Sequence, residues 1–110
     1  MSAPTEAPAR LVSQLVEADP EMIDIVEQFV GELPDRLAAL REALRDRDWD
    51  RLVVLAHQLK GAGGSYGYPE ISEAARQLEA DARERAGPLE QRLEHLEKLC
   101  AAAAAGLNGA

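Results

Sequence analysis

His57 sits in the run Ala56-His57-Gln58-Leu59-Lys60-Gly61-Ala62-Gly63-Gly64-Ser65-Tyr66-Gly67, and it is the residue best placed to do chemistry. Neutral imidazole is a good nucleophile near physiological pH, because its ordinary pKa of about 6.5 leaves it largely unprotonated. Lys60, one helical turn on, offers a positive charge to an anion carried on the ring. The glycines that follow are unusual in such a place, since each interior helical glycine costs about 1 kcal/mol relative to alanine. Bare backbone beside a histidine suits the close approach of something large. The pattern predicts a docking site around a reactive imidazole.

An amphipathic helix has to present that histidine. The sequence predicts one from about Trp49 to Tyr66, with Asp48 as its N-cap and Gly67 as its stop. Leu52, Leu55, Ala56, Leu59 and Ala62/Gly63 share its core face at about 100° per residue. His57 falls roughly 160° from the centre of that face and points to solvent. Asp50, Val53, Val54, Gly61 and Gly64 cluster around it as a smooth, weakly apolar patch of the kind that partners cover. Val53, Val54, Gly61 and Gly64 are thus the expected docking residues. Across the hairpin around Gly67-Tyr68, Glu79 stands level with His57 at the border of the next helix's apolar stripe. Two roles are open to it: accepting a hydrogen bond from the second ring nitrogen, which fixes the tautomer, or lying solvated on the helix surface.

The remaining sequence supplies the frame. The chain's 110 residues suffice for one domain. It is 46% hydrophobic but only 4% aromatic, and Leu and Ala dominate, a composition that favours helices over sheet. Residues 1–9 read as a flexible leader, 10–105 as a helical bundle and 106–110 as a flexible tail. A short helical turn is expected over Arg10–Val16. Asp19-Pro20-Glu21 opens the second helix, whose apolar positions Met22, Ile25, Val26, Phe29 and Val30 recur at helical spacing until Pro34 restarts the pattern with Leu37, Leu40 and Leu44. Asp46-Arg47-Asp48 makes a turn. A fourth helix opens at Pro69 and a fifth at Leu89, the latter fading into the Ala101–Ala105 run. Short connections set neighbouring helices antiparallel. The expected fold is all-α: an antiparallel up-and-down four-helix bundle with an additional N-terminal helix.

A net charge of −8 disfavours nucleic acid and anionic lipid as partners. No apolar run approaches membrane-span length, and the N-terminus lacks a signal pattern, so a soluble, cytoplasmic, monomeric protein is expected. Cys100, the one cysteine, is expected as a small buried hydrophobe. Asp46, Asp48 and Asp50 lack the glycine and distal glutamate of a calcium loop, and no metal site is expected on the chain. His95 lies among Glu94, Glu97 and Lys98 with no glycine near, and reads as a surface residue without function. Nothing in the sequence loads phosphate onto His57, so the catalytic machinery has to come from elsewhere.

The spacing His57-x-Leu59-Lys60-Gly61-Ala62-x-Gly64-x-x-Gly67 resembles the signature of histidine phosphotransfer (HPt) domains of bacterial multistep phosphorelays. Asp48-Trp49, Tyr68-Pro69 and Ala75-x-x-Leu78-Glu79 agree with it, and the likeness extends over roughly Leu11 to Ala103. The resemblance implies that His57 is the phosphoacceptor, that Lys60 neighbours the phosphoryl group, and that Gly61 and Gly64 keep the surface open. It implies receiver domains of response regulators or hybrid histidine kinases as partners, which bring the aspartate and Mg²⁺; no cofactor is expected on this chain. The chain is then a stoichiometric carrier rather than an enzyme. Two alternatives share these residues: a helical docking module that carries no phosphate, and the phosphoacceptor domain of a chemotaxis-type kinase.

Overall fold

The computed structural model describes residues 7–108, and among these there are five α-helices and no strand. Helix α1 is Gln14–Ala18, α2 Ile23–Arg45, α3 Trp49–Ser65, α4 Pro69–Glu84 and α5 Leu89–Asn108, with a 3-10 turn at Pro20–Met22 before α2. Each of the four long helices packs on two others: α2 on α3 and α5, and α4 on α3 and α5. The most extensive of these contacts, α3 against α4, joins the helices that carry His57 and Glu79. Leu33, Leu40, Leu52, Leu59, Leu78, Leu93 and Leu96 meet in the middle, fully buried.

Helix α1 starts later than expected. Ser13 is its N-cap, and its hydroxyl accepts from the Leu15 and Val16 amides at 3.1 and 3.2 Å, so Arg10–Ser13 stay outside the helix. Asp19 caps the 3-10 turn that Pro20 opens, and the α-helix itself begins only at Ile23. Pro34 does not divide α2. Its ring lies on the exposed side, where water can satisfy the carbonyl it cannot reach, while Val26, Phe29, Val30, Leu33, Leu40 and Ala43 keep one buried stripe. Ile25, counted with the apolar positions, is 44% exposed, because Val26 and Phe29 take the inward direction at that turn. Arg41 ties α2 to α5 through 2.9 Å bonds to both Glu97 and Glu90.

Helix α5 does not fade at the alanine run; it continues to Asn108, into the segment expected as a tail. The small side chains there receive the N-terminal segment instead. Leu11 N–H donates to the Ala102 carbonyl at 2.9 Å, and a side chain at Gly106 would collide with the Leu11 carbonyl oxygen. Of the segment expected as a leader, residues 1–6 lie outside the described residues, and Ala7 packs against the core. From Leu11 the chain crosses to the corner between α3 and α4, where Ser13 Oγ donates to the Tyr66 carbonyl at 2.6 Å and Gln14 N–H to that of Gly67 at 2.8 Å. One short strap thus ties the end of α5 to the end of the histidine helix.

Candidate functional site

Asp48 starts α3 by accepting from the Arg51 amide at 3.2 Å. Gly67 ends it with a φ of +89°, a conformation that side chains rarely adopt, and there the Ser13 hydroxyl stands 2.5 Å from where a Cβ would be. Between these caps Leu52, Ala56, Leu59 and Gly63 are buried, which turns His57 outward with 61% of its side chain exposed. Tyr66 stacks on Phe29 at 4.8 Å and Tyr68 is fully buried, so both aromatics at this corner serve packing.

Helix α4 returns beside α3 and brings Glu79 to His57. The carboxylate does not lie solvated on the helix surface: the residue is 6% exposed and stands within hydrogen-bonding distance of the ring. Its Oε2 lies 3.1 Å from Nδ1 of His57 and accepts from Nη2 of Arg83 at 2.8 Å, while its Oε1 lies 3.3 Å from Nζ of Lys60. Burial pushes this carboxyl pKa up, but the bonds from Arg83, Lys60 and His57 outweigh it and hold the pKa below the ordinary carboxylate value. Glu79 is therefore ionised at neutral pH and accepts hydrogen bonds only. Facing such an acceptor, Nδ1 carries the ring proton, and the lone pair of the neutral imidazole resides on Nε2.

The glycines differ in their surroundings. A Cβ at Gly61 would meet nothing within 4 Å, and Gly61 is exposed. Gly64 is exposed as well, with the Ser72 hydroxyl 3.6 Å from the Cβ position, an ordinary contact. Gly63 is buried at the close crossing with α4, where a Cβ would stand 3.1 Å from both Ile71 Cγ2 and the Ser72 amide nitrogen. At the same crossing the Ser72 hydroxyl donates to the Lys60 carbonyl at 2.9 Å. Val54 is 52% exposed, whereas Val53 is half-buried against the core, so the patch offers one fully presented valine rather than two. Both line an open groove of about 460 Å³ with Trp49, Asp50, Ala82, Arg83 and Arg85.

The tertiary structure brings together His57, Lys60 and Glu79 and adds Arg83 and Ser72, which sequence reasoning missed. The signal for Arg83 was present, since four residues separate it from Glu79 on one helix face. Ser72 left none, because its bond crosses between helices. Cys100 is 3% exposed and its thiol pKa is pushed up to about 12, chiefly by burial, so it belongs to the core. His95 is half-buried on α5. Among the described residues, no group of three or more His, Cys, Asp or Glu side chains is arranged to hold a metal ion, and no helix is long and apolar enough to cross a membrane.

Comparison with curated proteins and with solved structures found no match. The family model of the Hpt domain does match, over residues 24–106. That span takes in nearly all of α2, the whole of α3 and α4 and most of α5, and so includes His57, Lys60 and Glu79 with the helices that hold them. With an outward histidine on an all-helical frame and this match over most of its length, the chain belongs to the Hpt family of histidine phosphotransfer domains.

Proposed function

We propose that the protein carries a phosphoryl group on Nε2 of His57, accepting it from the aspartate of one receiver domain and passing it to another. The observation that carries this reading is the bond between His57 Nδ1 and the buried Glu79 carboxylate, which leaves Nε2 as the nucleophile. In the transfer, the Nε2 lone pair forms a bond to phosphorus as the bond from phosphorus to the aspartyl oxygen breaks. That electron pair leaves with the receiver's carboxylate. The ring keeps its proton on Nδ1 and becomes a cation facing Glu79, whose charge stabilises it. Lys60, with one of its three N–H donors on Glu79, has others to direct at the phosphoryl oxygens.

The receiver supplies the Mg²⁺ and the aspartate, and this chain acts as a stoichiometric carrier. Val54, Gly61, Gly64 and the outer edge of Val53 form the surface on which the receiver docks; the smooth backbone at the two glycines supports this assignment. The pairwise packing of α2 through α5 and their short connections support an antiparallel up-and-down four-helix bundle with α1 outside it. The reading is completed by a cytoplasmic, monomeric state.

Intact mass after mixing with a phosphorylated receiver and Mg²⁺ tests the proposal. One added phosphoryl group is expected on the wild type and none on His57→Gln, with the adduct stable in alkali and lost in acid. Phosphate accepted only from an ATP-loaded kinase domain would instead assign a chemotaxis-type donor. Binding of receivers without any phosphate acceptance would leave a docking module.

A further inference from the structure

Glu79 is compensated by more positive charge than it needs. One carboxylate faces two permanent cations, Lys60 on Oε1 and Arg83 on Oε2, in addition to the imidazole. The site thus holds a surplus positive charge next to His57, on a chain whose net charge is −8. Of the two cations Arg83 is the freer: 60% of its side chain is exposed, against 33% for Lys60. Its guanidinium has five donors, and among the described residues it spends one, from Nη2, on Glu79. His57 Nδ1 and Arg83 Nη2 converge on the same oxygen atom, which puts the guanidinium beside the imidazole ring.

We propose that Arg83 is a second phosphoryl-binding cation of this site: once His57 carries phosphate, the guanidinium leaves Glu79 and bonds a phosphoryl oxygen. This rests on the phosphocarrier reading above and extends it to a residue on the opposite helix. The exchange follows from charge. The phosphoryl group adds a dianion at Nε2, while the ring becomes a cation and takes over the compensation of Glu79 Oε2 through Nδ1. Arginine suits the new partner, because its planar fork matches two phosphoryl oxygens at once. Arg83 also lines the groove beside Val54, so the exchange changes the surface that a docked receiver meets according to whether His57 is loaded.

The experiment is a ³¹P NMR titration of the protein phosphorylated on His57 by phosphoramidate. It compares wild type, Arg83→Gln, Arg83→Lys, Glu79→Gln and the double variant Glu79→Gln/Arg83→Gln. Loss of a bound cation should raise the phosphoryl group's own pKa by about half a pH unit in Arg83→Gln, the size expected of one partly exposed charge pair. Arg83→Lys should recover part of that shift. The decisive comparison is in the Glu79→Gln background. If Arg83 touches phosphate, its removal raises the pKa there too; if it acts only by neutralising Glu79, its removal does nothing there and the proposal falls. An unshifted Arg83→Gln on a phosphorylated protein overturns this inference alone, whereas a wild type that takes no phosphate overturns it together with the carrier reading.

Discussion

Nδ1 of His57 on α3 lies 3.1 Å from Oε2 of Glu79 on α4, a bond that spans 22 positions of the chain. Because Glu79 is buried, ionised and already bonded to Lys60 and Arg83, it is a fixed acceptor rather than a mobile surface carboxylate. The imidazole is oriented by a partner that is itself held in place. In the proposed carrier, this is the physical basis for one reactive nitrogen instead of two.

Replacing that acceptor should slow phosphoryl acceptance without abolishing it. Glu79→Ala is expected to lower the rate roughly 3- to 10-fold, the scale of one partly exposed charge-assisted hydrogen bond. Nitrogen NMR of the ring should show the Nε2-protonated tautomer gaining population. Glu79→Gln, whose amide oxygen can still accept from Nδ1, should lie between Ala and wild type. Unchanged rates and tautomer ratios in Glu79→Ala would remove Glu79 from the mechanism.

The same carboxylate makes stability depend on acid. Its pKa in the folded protein is lowered, since the bonds from Arg83, Lys60 and His57 outweigh the burial that raises it. A lowered carboxyl pKa contributes stability above the unfolded value of about 4.3, and this is lost as pH falls through the folded value. Urea unfolding midpoints should therefore drop between neutral pH and the region below about 4 more steeply in wild type than in Glu79→Gln. Parallel curves would mean that Glu79 contributes no such linkage.

Three glycines of one motif should respond in three ways to alanine. Gly61→Ala has open space around it and is expected to stabilise the fold by up to about 1 kcal/mol through helix propensity, while slowing transfer if receivers press on that spot. Gly63→Ala presses on Ile71 and on the Ser72 backbone and should cost about 1–2 kcal/mol. Gly67→Ala combines a positive φ with collision against Ser13 and the Leu15 amide, and should cost about 3 kcal/mol or prevent folding. Thermal denaturation of the three variants gives the ranking directly, and an order other than this one would contradict the packing described for α3 and α4.

Cys100 should be inert in the native protein. With the thiol 3% exposed and its pKa near 12, a disulfide reagent at neutral pH should react only as fast as the protein opens, and at once in denaturant. Rapid native-state labelling would place Cys100 outside the core.

Local spacing was enough to read the histidine helix, its caps and its orientation: Leu52, Ala56 and Leu59 point inward, so His57 points out. The same locality made Lys60 and the glycines legible as its neighbours. Pattern reading failed where the deciding contact comes from far along the chain. It allowed two fates for Glu79, because whether a border residue is solvated depends on how closely α4 approaches, and Gly63 permits an approach close enough to bury it. It ended α5 early, because an alanine run reads as loss of amphipathicity until the Leu11 segment is seen lying on it. It split the apolar stripe of α2 in two at Pro34, whereas Val26, Phe29, Val30, Leu33, Leu40 and Ala43 form one buried stripe past a proline that faces water. The spacing of residues turned His57 outward; the packing of α4 on α3 set which of its ring nitrogens faces Glu79.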